Sequence, residues 1–178
     1  VLTTFKGKGL IGDNHPLAGG VLGRSGTPIA SYFMNESDLI LVLGASFSNH
    51  TGITPKKPTI QVDFDPMALS TFHEIDCAVW GVISITLGQL LVEMKEHNSL
   101  NHREEIANRW RIWRQEKAKR LRESFDQGLS SISVFDAMNR LAPKDAVMCV
   151  DVGNNADSFG RYFEPENHSF LMSGYLGS

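Results

Sequence analysis

The chain has 178 residues, 42% apolar and 21% charged, with a formal net charge of −3. That length holds one full domain, or one domain and part of another, and the composition is that of an ordinary globular protein. It speaks against a membrane span, which needs a run of about 18 apolar residues, and two cysteines are too few for a disulfide framework. Val1-Leu2-Thr3-Thr4 reads as the middle of a strand and not as a signal peptide, so the expected compartment is cytoplasmic.

Along the chain, Gly7-Lys8-Gly9-Leu10-Ile11-Gly12 matches G-x-G-x-x-G to the letter. A dinucleotide fingerprint needs a strand before it and a helix after it. Here Asp13-Asn14-His15-Pro16 follows, which breaks a helix, so the segment reads as a mobile glycine-rich loop beside a ligand. A second glycine-rich segment, His15 to Gly23, leads into a helix opened by Thr27-Pro28 and running through Met34. Its glycines, Gly20 and Gly23 among them, serve either a tight turn or close approach to a phosphate or ribose.

Leu39 to Leu43 is a continuous apolar run of the kind a parallel strand buried on both faces requires, and it closes on Gly44-Ala45-Ser46. Thr59 to Asp63 is a second strand, followed by Asp65-Pro66 and a short helix through Ser70. Small residues after one strand and acids after the next fit an adenosine pocket, with a carboxylate on the ribose hydroxyls. For Asp65 the simpler role is to cap the helix at Pro66; for Asp63 both roles stay open.

Ile83, Leu87, Leu90, Leu91 and Met94 keep helical spacing. Glu96 to Asn101 is polar and opens a linker helix. From Arg103 to Arg122 this helix carries eight Lys and Arg against Glu104, Glu105 and Glu116. A nucleic-acid patch would look like this. An apolar stripe at helical spacing, Ile106, Trp110, Trp113, Leu121 and Phe125, makes it a solvated helix face instead, and no nucleic-acid partner is expected.

Ser133-Val134-Phe135-Asp136 resembles a capping box before a helix closed by Pro143. Ala146 to Val150 is an apolar strand with Cys149 expected as a buried thiol, and it runs into Asp151-Val152-Gly153. An acid and a flexible turn at the carboxyl end of a strand mark the edge where open α/β sheets receive ligands. The alternation of strands and helices gives an α/β fold. The expected division is an α/β domain over residues 1–97, a helical linker over 98–129, and an unfinished second unit over 130–178, too small to bury a core. The last residues, Ser173 to Ser178, read as a glycine-rich loop cut through a binding site. The six histidines show no metal-ligand spacing, and no nucleophile elbow occurs.

Taken in order, these segments resemble the thiamine diphosphate-dependent enzymes of the acetolactate synthase, pyruvate oxidase and 2-oxoacid decarboxylase group. Thr3-Thr4-Phe5-Lys6-Gly7-Lys8-Gly9, His15-Pro16 and Gly20-Val21-Leu22-Gly23 look like the start of that family's central domain. Asp38 to Gly44 resembles its aspartate, apolar strand and glycine segment, and Ile60 to Pro66 its I-x-V-D-x-D-P segment. The resemblance implies a parallel-sheet central domain with Rossmann-like, DHS-type layering, followed by the start of the diphosphate-binding domain.

It further implies a parent enzyme that decarboxylates a 2-oxoacid such as pyruvate with thiamine diphosphate and Mg²⁺, as a homodimer or homotetramer. The family's activating glutamate and its metal ligands match nothing in residues 1–178, so the chain by itself is expected to be inactive, with no catalytic and no metal-binding residue. By the same resemblance Asn154 and Asn155 lie near the cofactor diphosphate, and Gly174 and Gly177 in the next cofactor loop. Gly20, Gly23, Gly44, Ala45, Asp63 and Asp65 match a central-domain FAD or ADP site. Trp80-Gly81 is followed by Val82 where FAD-binding members commonly have an aspartate, which removes one nucleotide partner. The rival readings are a non-catalytic domain that binds FAD, ADP or NAD, or a scaffold, and an NAD-dependent dehydrogenase or deacylase resting on Gly7–Gly12.

Overall fold

The computed structural model describes residues 1–46, 48, 51–54, 56–94, 99–123 and 128–173. Packing gathers the chain into two units, one of Phe33–Asn101 and one of Val1–Tyr32 with His102–Ser178. The division falls inside helix α1 (Pro28–Glu36). Parallel strands with helices between them make the chain an α/β protein.

The Phe33–Asn101 unit holds β1 (Ile40–Leu43), β2 (Thr59–Asp63) and β3 (Cys77–Trp80), parallel and in that order across the sheet. Ile40 stands opposite Thr59, and Ile60 opposite Cys77. Helix α2 (Ile83–Glu93) follows, contacts β2, and buries none of its residues. The expectation that β1 is buried on both faces is corrected: Ile40 and Val42 are buried, Leu41 and Leu43 exposed. Both faces of β1 are apolar, and the described elements cover only one of them. The short helix after Asp65 is a single 3₁₀ turn, Pro66–Ala68, and stops before Ser70.

The other unit contains α3 (Arg103–Arg120), α4 (Ser131–Leu141), β4 (Val147–Val150), α5 (Asn154–Tyr162) and β5 (Ser169–Met172). Strands β4 and β5 pair in parallel, Val147 opposite Ser169. Residues of the 130–173 stretch therefore do take part in a core, contrary to expectation. Phe135, Phe159 and Phe163 are buried together, and Phe5 from the start of the chain packs against them. The missing apolar mass is supplied across some 130 residues of sequence, which no local pattern announces.

Smaller expectations are corrected in the same unit. Val1–Thr4 is no strand: among the described residues Thr3 makes one isolated bridge, to Val21. The cap of α4 is Ser130, whose side chain accepts from the Ser133 amide, so Ser133 lies inside the first turn. Cys149 is exposed, because β4 turns its even positions inward. The α3 stripe holds at Ile106, Trp110 and Trp113, with Leu121 half-buried just past the end of the helix; Phe125 lies outside the described residues. His97 and the linker start at Glu96 lie outside them too. No helix among the described residues is long and apolar enough to cross a membrane.

Candidate functional site

At the carboxyl end of β4 the chain passes through Asp151, whose Oδ1 accepts from the Val152 amide at 2.8 Å, and reaches Gly153. Gly153 has φ 135 and ψ −174, a combination that excludes most side chains, and it starts α5 without a side-chain cap. The first intrahelical bond runs from the Ala156 amide to the Gly153 carbonyl at 3.0 Å. Asn154 and Asn155 come before it, exposed, at the end where a helix carries unsatisfied amides and partial positive charge. Two carboxamides beside free amides form an uncharged donor set for a phosphate group. Gly174 and Gly177 lie outside the described residues.

The second cluster lies at the carboxyl edge of β1 and β2. Gly44 follows β1 with φ 62, and a Cβ there would stand 2.8 Å from Ile83 Cδ1. Gln61, buried in the middle of β2, donates to the carbonyls of Ala45 and Ala68 at 3.2 Å each and accepts from the Ser70 amide at 2.9 Å. One amide thus ties the turns after both strands together. Asp63 is buried and its Oδ1 accepts from the Asp65 amide at 3.0 Å. Asp65 is exposed and caps the 3₁₀ turn through the Met67 amide at 2.9 Å. Gly44, Ala45, Asp63 and Asp65 therefore share one edge of one unit, whereas Gly20 and Gly23 belong to the other unit.

The two glycine-rich segments pack against protein. A Cβ at Gly9 would stand 2.3 Å from the Phe170 ring, and one at Gly12 2.6 Å from the Glu166 carbonyl. Buried Gly20, at φ 82, would set a Cβ 2.4 Å from Thr27 Oγ1. Gly23 has φ 105 in the turn that follows. Inside the first loop lies a pair that sequence reasoning passed over. Lys8 and Asp13 are both buried, with Nζ 3.5 Å from Oδ2, and Lys8 Nζ donates to the Gly160 carbonyl at 3.1 Å. Burial pushes the Lys8 pKa down and the Asp13 pKa up, and their mutual attraction opposes both shifts. The available signal was a lysine and an aspartate flanking a loop with two apolar residues.

The basic face of α3 is engaged within its own unit. Arg109 pairs with Glu105 and lies 3.5 Å over the Tyr32 ring, Arg120 pairs with Glu116, and Arg114 and Lys117 converge on Glu164. Burial alone would raise the Glu164 pKa; Lys117 and Arg114 outweigh it and hold the carboxyl below its ordinary value of 4.5. A carboxyl whose folded pKa is depressed contributes stability above its unfolded pKa and loses it as pH falls through the folded value. Acidification from pH 7 to below pH 4.5 is therefore expected to weaken this unit. Glu164→Gln is expected to cost about 1–3 kcal/mol at pH 7 and to flatten the acid limb. Urea midpoints of both proteins at pH 7 and pH 3 check this, the Asp13 contribution, of opposite sign, cancelling in the comparison.

Among the described residues no three His, Cys, Asp or Glu side chains gather as a metal site. Residues 1–90 match the family model of the thiamine pyrophosphate enzyme, central domain. The chain belongs to the thiamine pyrophosphate enzyme family. Among its relatives is a protein of Methanococcus aeolicus named "Probable acetolactate synthase large subunit", 29% identical over the whole chain and 33% of the relative's length. The acetolactate synthase large subunit of Cyanidium caldarium is 31% identical over all of the chain and 32% of its own length. Pyruvate oxidase of Lactiplantibacillus plantarum is 26% identical over 86% of the chain and 26% of its own length. The chain thus spans about a third or less of the curated relatives it matches.

Proposed function

We propose that this chain is part of a thiamine diphosphate-dependent enzyme that decarboxylates a 2-oxoacid such as pyruvate. In this reading residues 1–97 form the central domain, 98–129 the linker, and 130–178 belong to the diphosphate-binding domain. The observation that carries it is the family match over residues 1–90 together with relatives named acetolactate synthase and pyruvate oxidase. The edge after β4 supports it, since an uncapped helix start beside Asn154 and Asn155 suits an anionic diphosphate.

In that role Asn154 and Asn155 would donate to diphosphate oxygens, with Gly174 and Gly177 in the neighbouring loop and Mg²⁺ held by groups elsewhere in the protein. The bound cofactor supplies an electron sink for the carbanion left by CO₂ loss. Gly153 lets the chain turn from strand to helix close to the anion, and Asp151 fixes that turn through the Val152 amide. The assembly proposed is a homodimer or homotetramer.

The test is to read the coding DNA on both sides of this segment and assay the product of the complete reading frame. A downstream glycine-aspartate-glycine motif, an upstream glutamate and CO₂ release from pyruvate that requires thiamine diphosphate are expected. Asn154→Ala with Asn155→Ala should raise the thiamine diphosphate concentration for half-maximal rate about tenfold, the equivalent of about 1.4 kcal/mol. A complete product that binds the cofactor with unchanged affinity in this double variant would count against the assignment of the two asparagines.

A second reading is favoured by the buried Asp63 carboxylate beside Gly44 and Ala45 at one sheet edge, an arrangement that suits the ribose and phosphate of FAD or ADP. Asp65 completes that proposed set. Equilibrium dialysis with each nucleotide, repeated on Asp63→Asn, decides it.

A further inference from the structure

The start of the chain grips a single helix, from the first glycine-rich loop and from the turn just after Gly23. The faces of α5 are divided. Phe159 and Phe163, the latter just past the helix, turn into the aromatic core, while Asp157, Gly160 and Arg161 turn to the start of the chain. Ser25 Oγ donates to Asp157 Oδ1. Arg161 Nη2 donates to the Arg24 carbonyl at 2.9 Å and its Nε to the Gly26 carbonyl at 3.4 Å. Lys8 Nζ donates to the Gly160 carbonyl at 3.1 Å, the acceptor at the far end of the helix. At Gly160 a Cβ would stand 2.5 Å from the Ser25 carbonyl and 2.7 Å from the Phe5 ring, so arm and helix touch backbone to backbone.

Spacing of three and four residues puts these contacts on one stripe of α5, and they come from the first glycine-rich loop and from Arg24–Gly26. Glycines in residues 7–26 are packed against protein, Gly9 on the Phe170 ring, Gly12 on the Glu166 carbonyl, Gly20 on Thr27 and Gly26 on the Val21 carbonyl, a use distinct from cradling a phosphate. We propose that residues 5–27 are a clamp that sets the position of α5, with Ser25, Asp157 and Arg161 as positioning residues for the anion received at Asn154 and Asn155. The positioning half of this inference rests on the diphosphate reading above; the clamp itself does not.

The geometry predicts which changes matter. Asp157→Ala deletes the acceptor for Ser25, whereas Asp157→Asn keeps an oxygen that can accept the same bond. Arg161→Ala releases two carbonyls, and Arg161→Lys restores one donor. In the product of the complete reading frame, amide hydrogen exchange within residues 157–163 is expected to rise about tenfold in Asp157→Ala and Arg161→Ala, with Asp157→Asn close to wild type and Arg161→Lys between. The thiamine diphosphate Kd, measured with Mg²⁺ present, should rise about fivefold in the two alanine variants while KM for pyruvate stays unchanged.

Unchanged exchange in both alanine variants would overturn the clamp. So would an equal rise in β1, β2 and β3, which signals a global loss of stability. A rise confined to α5 with unchanged cofactor Kd, in a protein where Asn154→Ala with Asn155→Ala does weaken the cofactor, would overturn the positioning role alone. If that double variant also leaves Kd unchanged while α5 still loosens, the clamp stands and the diphosphate reading falls.

Discussion

Lys8→Met is expected to destabilise the unit containing α3, α4 and α5 by about 3–5 kcal/mol, because it leaves a buried carboxylate without its cation. Asp13 is 6% exposed, and Lys8 is 4% exposed. Neither can turn to water without opening the loop, since the Asp13 amide is itself bonded to the Pro165 carbonyl at 2.8 Å. Replacing both partners by apolar residues, as in Lys8→Met with Asp13→Leu, should recover most of the loss, as the desolvation cost of both charges disappears. Guanidinium unfolding in a Trp80→Phe background reads the effect, because Trp110 and Trp113 then report on this unit alone. A single-variant loss under about 1 kcal/mol would mean that water or another cation reaches Asp13.

Phe159→Ala should cost a similar amount, about 3–5 kcal/mol, by opening a cavity at the centre of the aromatic core. Phe159 lies with ring centroids 5.0 Å from Phe163, 5.3 Å from Phe170, 5.8 Å from Phe135 and 6.4 Å from Phe5. Its loss therefore removes partners from α4, β5 and the start of the chain together. Hydrogen exchange should accelerate in β4, β5 and residues 3–8, and change little in β1, β2 and β3. Phe64→Ala is the control: Phe64 is 72% exposed, and its removal should move the midpoint by less than about 0.5 kcal/mol. Equal effects of the two variants would contradict the core described here.

The two predictions share a cause, which also separates what was legible in the sequence from what was not. Local signals were read well. The apolar run at Leu39–Leu43, the capping pair Asp65-Pro66 and the helical spacing of Ile106, Trp110 and Trp113 each concern residues a few positions apart, where backbone geometry alone sets the pattern. The order of these segments also carried the family assignment that the match over residues 1–90 supports. Errors came where a signal was local but its cause was distant. Gly9 and Gly12 read as a ligand loop because glycine permits any close approach, and sequence does not name the approaching group; the structure names Phe170 and the Glu166 carbonyl.

The candidate site divides the same way. Gly44 and Asp63 were singled out because small residues and acids punctuate the ends of strands, and Asn154 and Asn155 through the resemblance to the family. Gln61, Asp157 and Arg161 were missed, since a polar residue in a strand or on a helix shows nothing of its partner until the chain is folded. The α/β class and the family were legible in the sequence, because these follow from periodicity, turn chemistry and motif order. Folding alone settles that the start of the chain closes the core formed by Phe135, Phe159 and Phe163. That choice depends on buried contacts between segments more than a hundred residues apart, and neither segment can express them alone.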